Sequence, residues 1–267
     1  MDWKKAMLAG TLAVTTAALI AGCGGQDKKA ADQKMPDKIV IGLDDNFPPM
    51  GFRNEGGELV GFDIDLAKEA GKRLGVEVEF KPIDWDSKEA ALQSKQVDLL
   101  WNGLTITKDR SEKIAFSKPY MKNAQLLVVR ADSPITDRAG LAGKIIGTQE
   151  GSSSIDALDK NKEFEDSLQE VKKYGDFVNA FMDLEIGRTD GVLVDSVVGR
   201  YYMTKKEGKF KVIDDKMGDE QFGVGMRKDD KVLQDKLNDV LKQMTEDGTM
   251  TKLSDKWFGE DITIPVK

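Results

Sequence analysis

The 267-residue chain contains no histidine and a single cysteine, Cys23. Without histidine there is no Ser-His-Asp or Cys-His catalysis and no His-ligated metal site. Two phosphate-binding signals are missing as well. No G-x-x-x-x-G-K-[ST] loop occurs, and no G-x-G-x-x-G follows a strand-like run. A nucleotide enzyme is therefore not expected, and no cofactor is implied. Positive charge is in deficit: 40 Lys and Arg stand against 47 Asp and Glu, a formal net charge of −7. An acidic chain of this kind is a poor nucleic-acid binder. Beyond that, the acidity speaks only to solubility.

What is present begins at the N-terminus. Met1–Lys5 carries Lys4 and Lys5, and an uncharged, mostly apolar run follows from Ala6 to Gly22. Charged n-region, apolar h-region and small residues at the end have the layout of a secretory signal. As a membrane-spanning helix the run is marginally short and rich in Ala, Thr and Gly. Ile20-Ala21-Gly22-Cys23 resembles the lipobox of bacterial lipoproteins. That resemblance implies acylation of Cys23, which becomes the mature N-terminus, anchored to a membrane rather than spanning it. It leaves no thiol nucleophile and no disulfide. Gly24–Asp37 is polar and charged, with no apolar period, and reads as a flexible tether. The expected organisation is a signal peptide over 1–22, a lipidated tether over 23–37 and a folded body from about Lys38. The body's length suits two compact lobes of roughly 100 residues each.

Within the body, Lys38–Leu43 reads as a strand running into a polar loop, Asp44-Asp45-Asn46, and Phe47-Pro48-Pro49-Met50 as an irregular turn. Phe62–Leu74 places Ile64, Leu66, Ala67, Ala70 and Leu74 at helical spacing, and Gly75 stops it. Strands are expected at Val76–Phe80 and Val97–Trp101, with a helix at Ser87–Gln93. The alternation argues for βαβ units and an open, mainly parallel sheet. A second series starts at Gln125. Strands are expected at 125–129, 144–148, 170–174, 191–194 and 222–226. Helices are expected at 152–159, 177–187, 195–203 and 232–257, the last broken near Gly248.

Four stretches together resemble the polar amino-acid binding proteins of bacterial ABC importers. They are Gly61-Phe62-Asp63-Ile64-Asp65-Leu66, Gly103-Leu104-Thr105-Ile106-Thr107-Lys108-Asp109-Arg110, Phe116-Ser117-Lys118-Pro119-Tyr120, and Gly187-Arg188-Thr189-Asp190-Gly191 running on to Asp195. The resemblance implies an α/β, two-lobed periplasmic-binding-protein fold of type II, each lobe an open sheet flanked by helices. Lobe one is expected to hold 38–121 and 222–267, lobe two 122–221, with the ligand in the cleft. It also implies capture of a free amino acid for an ABC permease and its ATPase, by a monomer, with no enzymatic activity.

A free amino acid carries a carboxylate and an ammonium, and burying either without a partner costs several kcal/mol. A pocket for it needs a cation, an anion and convergent hydrogen-bond donors. Arg110 is the candidate carboxylate clamp, since a guanidinium holds both oxygens in one planar fork. Taken alone it would read as a surface arginine capping a helix; the Leu-Thr-Ile-Thr run before it carries the assignment. By the same resemblance Thr105 adds its hydroxyl and N–H, and Gly103 lets the backbone approach closely. Many relatives carry Ser where Asn102 and Gly103 stand, so the polar contacts of this loop stay open. Ser152 and Ser153 open a helix after Gly151 and offer donors to an anion; a plain N-cap is the other reading, and Ser153 is the better match to the family's donor. Asp195 matches the residue that takes the α-amino group, though an Asp after a strand is commonly an N-cap.

Phe47 and Trp85 are candidate walls for the ligand side chain. Asp44 matches a position that reaches polar or basic side chains. Trp101 and Gln125 are weaker candidates, and Asp63 and Asp65 read as structural residues at a helix start. A basic or polar ligand is favoured, with cystine as the alternative. A prephenate or arogenate dehydratase on the same fold is the rival class, for which Glu150 is the carboxyl to inspect. The lipobox favours a Gram-positive cell surface.

Overall fold

A computed structural model describes residues 35–267. The signal run, Cys23 and all but the last residues of the tether lie outside the described residues. β1 (Lys38–Leu43) leads into a small antiparallel sheet of β2 (Asn46–Phe47), β3 (Gly51–Arg53) and β4 (Leu59–Val60). Helix α1 (Phe62–Leu74) ends at left-handed Gly75, as its spacing predicts, and β5 (Glu77–Pro82) follows. A 3-10 turn at Trp85–Ser87 precedes α2 (Lys88–Gln93), β6 (Leu99–Leu100), α3 (Lys108–Lys113) and β7 (Ala115–Phe116). The strand expected over 97–101 is thus only two residues long. β6 feeds at once into the polar loop that carries Thr105.

The chain then enters a second sheet along β8 (Met121–Arg130). This lobe contains β9 (Ile145–Gln149), α4 (Ser153–Asp159), α5 (Lys162–Ser167), β10 (Glu170–Tyr174), α6 (Phe177–Glu185), β11 (Gly191–Asp195), α7 (Ser196–Lys205) and β12 (Phe210–Phe222). It returns to the first sheet through β13 (Gly225–Met226) and closes with α8 (Lys231–Glu246) and α9 (Thr249–Phe258), separated by left-handed Gly248.

The architecture is mixed α/β with two sheet-containing lobes, ordered β5-β1-β6-β13-β7 and β10-β9-β11-β8-β12. β1 pairs in parallel with β5 and β6, and β9 in parallel with β10 and β11. In each sheet a single strand, β13 in the first and β8 in the second, runs against the other four and makes both antiparallel pairings. Four of the five strands of each sheet therefore point the same way, while only half of the pairings are parallel. The physical reason is the connection: a strand arriving directly from the other lobe has no crossover helix to reverse it. The core is continuous with the helices. Phe62, Leu66 and Ala70 on α1 are buried with Leu237, Leu241 and Met244 of α8. Leu127, Ile146, Leu158 and Leu193 form a core of the second lobe.

Asp63 and Asp65 play the structural parts expected of them. Buried Asp63 accepts from the Gly103 N–H (2.7 Å) and the Tyr120 hydroxyl (2.9 Å), fixing the 101–107 loop. Asp65 accepts from Lys256 Nζ (2.7 Å) and Trp257 Nε1 (2.8 Å), tying α1 to α9. Burial pushes the Asp63 carboxyl up to about 7.

Candidate functional site

The loops after β6 and β9 and the end of β11 meet between the two sheets. Thr107 caps α3, its hydroxyl accepting from the Arg110 N–H. That cap turns the Arg110 side chain inward, where it is 6% exposed. Its guanidinium donates to the Thr105 carbonyl (2.9 Å) and, across the cleft, to the Gly151 carbonyl (3.0 Å). Glu89 lies 3.8 Å from its Nε. Arginine has five N–H donors, so donors remain for a carboxylate. The Thr105 and Ser153 hydroxyls, from opposite lobes, are 3.0 Å apart.

Asp195 ends β11, 3% exposed. Its Oδ1 accepts from Asn123 Nδ2 (2.5 Å) and Gln125 Nε2 (3.1 Å). Burial raises its pKa, and the charge of Glu220 adds to the effect. Gln125 is fully buried and held by the Ser154 hydroxyl on its Oε1 (2.7 Å). Its Nε2 also lies within hydrogen-bond distance of the Ser153 hydroxyl (3.1 Å) and Glu220 (3.0 Å).

Two glycines permit this approach. Gly103 has φ +58°, and a Cβ on it would lie 2.7 Å from a Phe47 ring carbon. Gly151 has φ +69°, and a Cβ there would lie 2.6 Å from the Asp86 Cα in the other lobe. Neither position accepts a side chain without strain. Lys88, nearly buried, completes this corner. It donates to the carbonyls of Trp85 (3.0 Å) and Gly151 (2.8 Å), and its Nζ stands 5.3 Å from the centre of the Trp85 ring. Burial, and then the charge of Arg110, lowers its pKa to about 8.

At the other end, buried Asp44 accepts from the Asn46 N–H (2.9 Å) and, across the cleft, from Gln149 Nε2 (2.6 Å). Burial pushes it up to about 6, with the charges of Asp176 and Asp45 adding. Phe47 packs on Phe177 of the second lobe, ring centres 5.9 Å apart.

The structure thus joins Thr105, Arg110, Ser153 and Asp195 in one polar network, with Gly103, Phe47 and Asp44 flanking it and Trp85 beside Lys88. Ser152 stands apart, because its hydroxyl donates to the Gln149 carbonyl (2.7 Å) and serves the turn. Trp101 is core, its ring 6.4 Å from that of Tyr120. Glu150 is exposed and off the network. Sequence reasoning missed Asn123, Gln149 and Glu220. The signal for Asn123 and Glu220 was position: both lie where the chain crosses between lobes, as Gln125 does.

Family comparison decides the lineage. The model of the bacterial extracellular solute-binding proteins, family 3, matches residues 39–260. The chain belongs to that family. It is 34% identical over 260 residues to the L-cystine-binding protein TcyJ of Escherichia coli, covering 94% of this chain and 96% of that one. It is 31% identical to the arginine-binding extracellular protein ArtP of Bacillus subtilis, covering 96% and 98%. Among solved structures, a substrate-binding protein of an ABC uptake transporter from Streptococcus pneumoniae with bound histidine superimposes with a TM-score of 0.82. It shares 40% identity and covers 85% of this chain and 94% of that one. Family 3 membership accounts for the two-lobed architecture. Among the described residues, no helix is long and apolar enough to cross a membrane.

Proposed function

We propose that this family 3 protein captures a free L-amino acid, basic or polar in its side chain, and delivers it to an ABC importer. One observation carries the reading. A fixed cation and hydroxyl from one lobe, Arg110 and Thr105, face a hydroxyl and a carboxylate from the other, Ser153 and Asp195. A zwitterion is the simplest solute that satisfies all four. Its carboxylate takes the free Arg110 donors and the two hydroxyls, and its ammonium takes Asp195. A ligand bridging both lobes is worth more to their closed arrangement than to an open one, and that difference shifts the population.

Side-chain class rests on Asp44. It is a buried carboxylate held by neutral donors, in the loop that leads to buried Phe47. A guanidinium, ammonium or imidazolium would supply the charge partner that burial demands. The relatives named for cystine, arginine and histidine bracket the same chemistry, and cystine stays the alternative ligand. Binding rather than catalysis is the proposed role. The lipobox residues further support tethering by acylated Cys23 at a Gram-positive surface, and family membership supports docking on a permease driven by its ATPase, with the protein proposed to act as a monomer. Lobe boundaries at 121/122 and 221/222 belong to the same proposal.

The test is thermal unfolding of the protein, stripped of carried-over ligand, against the twenty amino acids and cystine. A site ligand at 100 times its Kd adds about 2.7 kcal/mol. Stabilisation by one or a few basic or polar amino acids, lost in Arg110→Ala and Asp195→Ala, is expected. No stabilisation by any of them overturns the reading, and turnover of prephenate or arogenate would replace it with the dehydratase.

A further inference from the structure

β12 carries Glu220 opposite Asn123 of β8, where the chain crosses between the lobes. The Glu220 side chain is half-buried and turned into the site. Its Oε2 lies within hydrogen-bond distance of four donors. They are the Thr105 hydroxyl (3.0 Å), the Ser153 hydroxyl (3.1 Å), Asn123 Nδ2 (2.8 Å) and Gln125 Nε2 (3.0 Å). Thr105 belongs to the first lobe, Ser153 and Gln125 to the second. Among the described residues, no lysine or arginine forms an ion pair with this carboxylate.

We propose that the Glu220 carboxylate is a built-in occupant of the subsite for the ligand's α-carboxylate, which the ligand must displace in order to bind. The inference rests on the amino-acid reading above. Three physical points support it. The first is identity of chemistry: the Thr105 and Ser153 hydroxyls assigned to the ligand's carboxylate already converge on a carboxylate oxygen. Two anions cannot share those donors at hydrogen-bond distance without strong repulsion.

The second is the neighbour. Asp195 and Glu220 draw on the same Asn123 and Gln125 amides. Two carboxylates sharing neutral donors repel, so the internal occupant is held less firmly than a zwitterion, which brings Asp195 an ammonium. The third is access. Glu220 is half-buried, so its side chain already reaches solvent and can leave the donors by rotating about its own bonds while its backbone stays paired to Asn123.

Two consequences follow. Glu220 bridges Thr105 and Ser153, so it holds the lobes together when no solute is added. It also competes with the solute, so it lowers apparent affinity and screens out weak carboxylate binders.

The experiment compares the wild-type protein with Glu220→Ala and Glu220→Gln. L-arginine, L-histidine and L-cystine serve as calorimetric probes, and small-angle scattering is recorded without solute. Circular dichroism checks that each variant is folded, and the glutamine variant keeps the side-chain volume. Glu220→Ala is expected to bind the preferred probe at least about tenfold more tightly. Its radius of gyration without probe should rise, and fall back to the wild-type value once the probe is saturating. Glu220→Gln, a neutral acceptor, should fall between the two. Weaker binding in both variants makes Glu220 a contact of the ammonium and overturns the proposal. Unchanged affinity with unchanged scattering overturns it as well. Binding of none of the three probes by any of the proteins counts against the amino-acid reading instead, and the scattering comparison still decides whether Glu220 joins the lobes.

Discussion

The two lobes share a plan but not a chemistry. Each sheet has four strands running one way and a single reversed strand in fourth place, β13 or β8, and each delivers its polar residues from the ends of corresponding strands. After β1 comes Asp44, and at the end of β9 comes Gln149; the two are hydrogen bonded across the cleft. After β6 come Thr105 and Arg110, while β11 ends in Asp195. Equivalent strands therefore supply opposite charges, a guanidinium from the first lobe and a carboxylate from the second. On the proposed reading neither half alone holds a zwitterion. Placing the opposite charges on separate bodies couples ligand binding to the closed arrangement, because only that arrangement completes the charge set.

The sharpest way to break that division is to neutralise one side. Arg110→Ala leaves the ligand carboxylate without a cation, and Asp195→Asn leaves the ammonium without an anion. Each is expected to cost about 3 kcal/mol or more, over 100-fold in Kd by calorimetry, since truncating one member of a buried charge pair strands the other. Equal binding by Asp195→Asn and wild type would remove Asp195 from the recognition scheme. A smaller effect comes from leaving both charges intact and blocking their approach. Gly151→Ala puts a Cβ against the Asp86 backbone at a left-handed φ. Affinity should fall by roughly 10- to 100-fold, about 1.4 to 2.7 kcal/mol. The radius of gyration with saturating ligand should rise, and each lobe's secondary structure should stay unchanged.

How far the molecule could be read from its sequence varies along the chain in a physically intelligible way. α1 was legible to its last residue because five apolar positions share one face and Gly75 stops it. β10, at Glu170–Tyr174, was legible as well. By contrast, β12 contains the run Asp-Asp-Lys-Met-Gly-Asp-Glu-Gln, which carries no strand periodicity, and its order comes from pairing with β8. α5 escaped because Phe164 is its only buried residue. At the site, Arg110, Thr105, Ser153 and Asp195 were named from motifs, and the structure brings their side chains together. Glu220 and Asn123 were not, because their proximity depends on two distant strands meeting at the crossing. Ser152 was named for its position after Gly151, yet its hydroxyl is spent on the turn. Local pattern finds residues that a loop presents; it does not find those that tertiary pairing presents.

The smallest effect separates the charged end of the cleft from its Asp44 end, and its sign is the reverse of the usual carboxylate case. Burial raises Asp44 to about 6 from an ordinary value near 3.8. Between those values the folded protein binds more protons than the unfolded chain. Stability from this group is therefore present below about pH 4 and is lost as pH rises through about 6. Asp44→Asn should remove that loss and stabilise the protein at pH 7 by on the order of 1–2 kcal/mol in chemical denaturation. Gln149, turned end over end, can accept from the new amide but gives up its donor bond to the Gly175 carbonyl (3.0 Å), which offsets part of the gain. The same substitution should weaken binding of a basic amino acid while sparing a neutral one. In the wild type, affinity for L-arginine should fall as pH drops below about 6, more steeply than affinity for L-glutamine. Asp195 contributes to both ligands, so the difference between them isolates Asp44. Parallel pH profiles for the two amino acids would place the side-chain recognition elsewhere in the cleft.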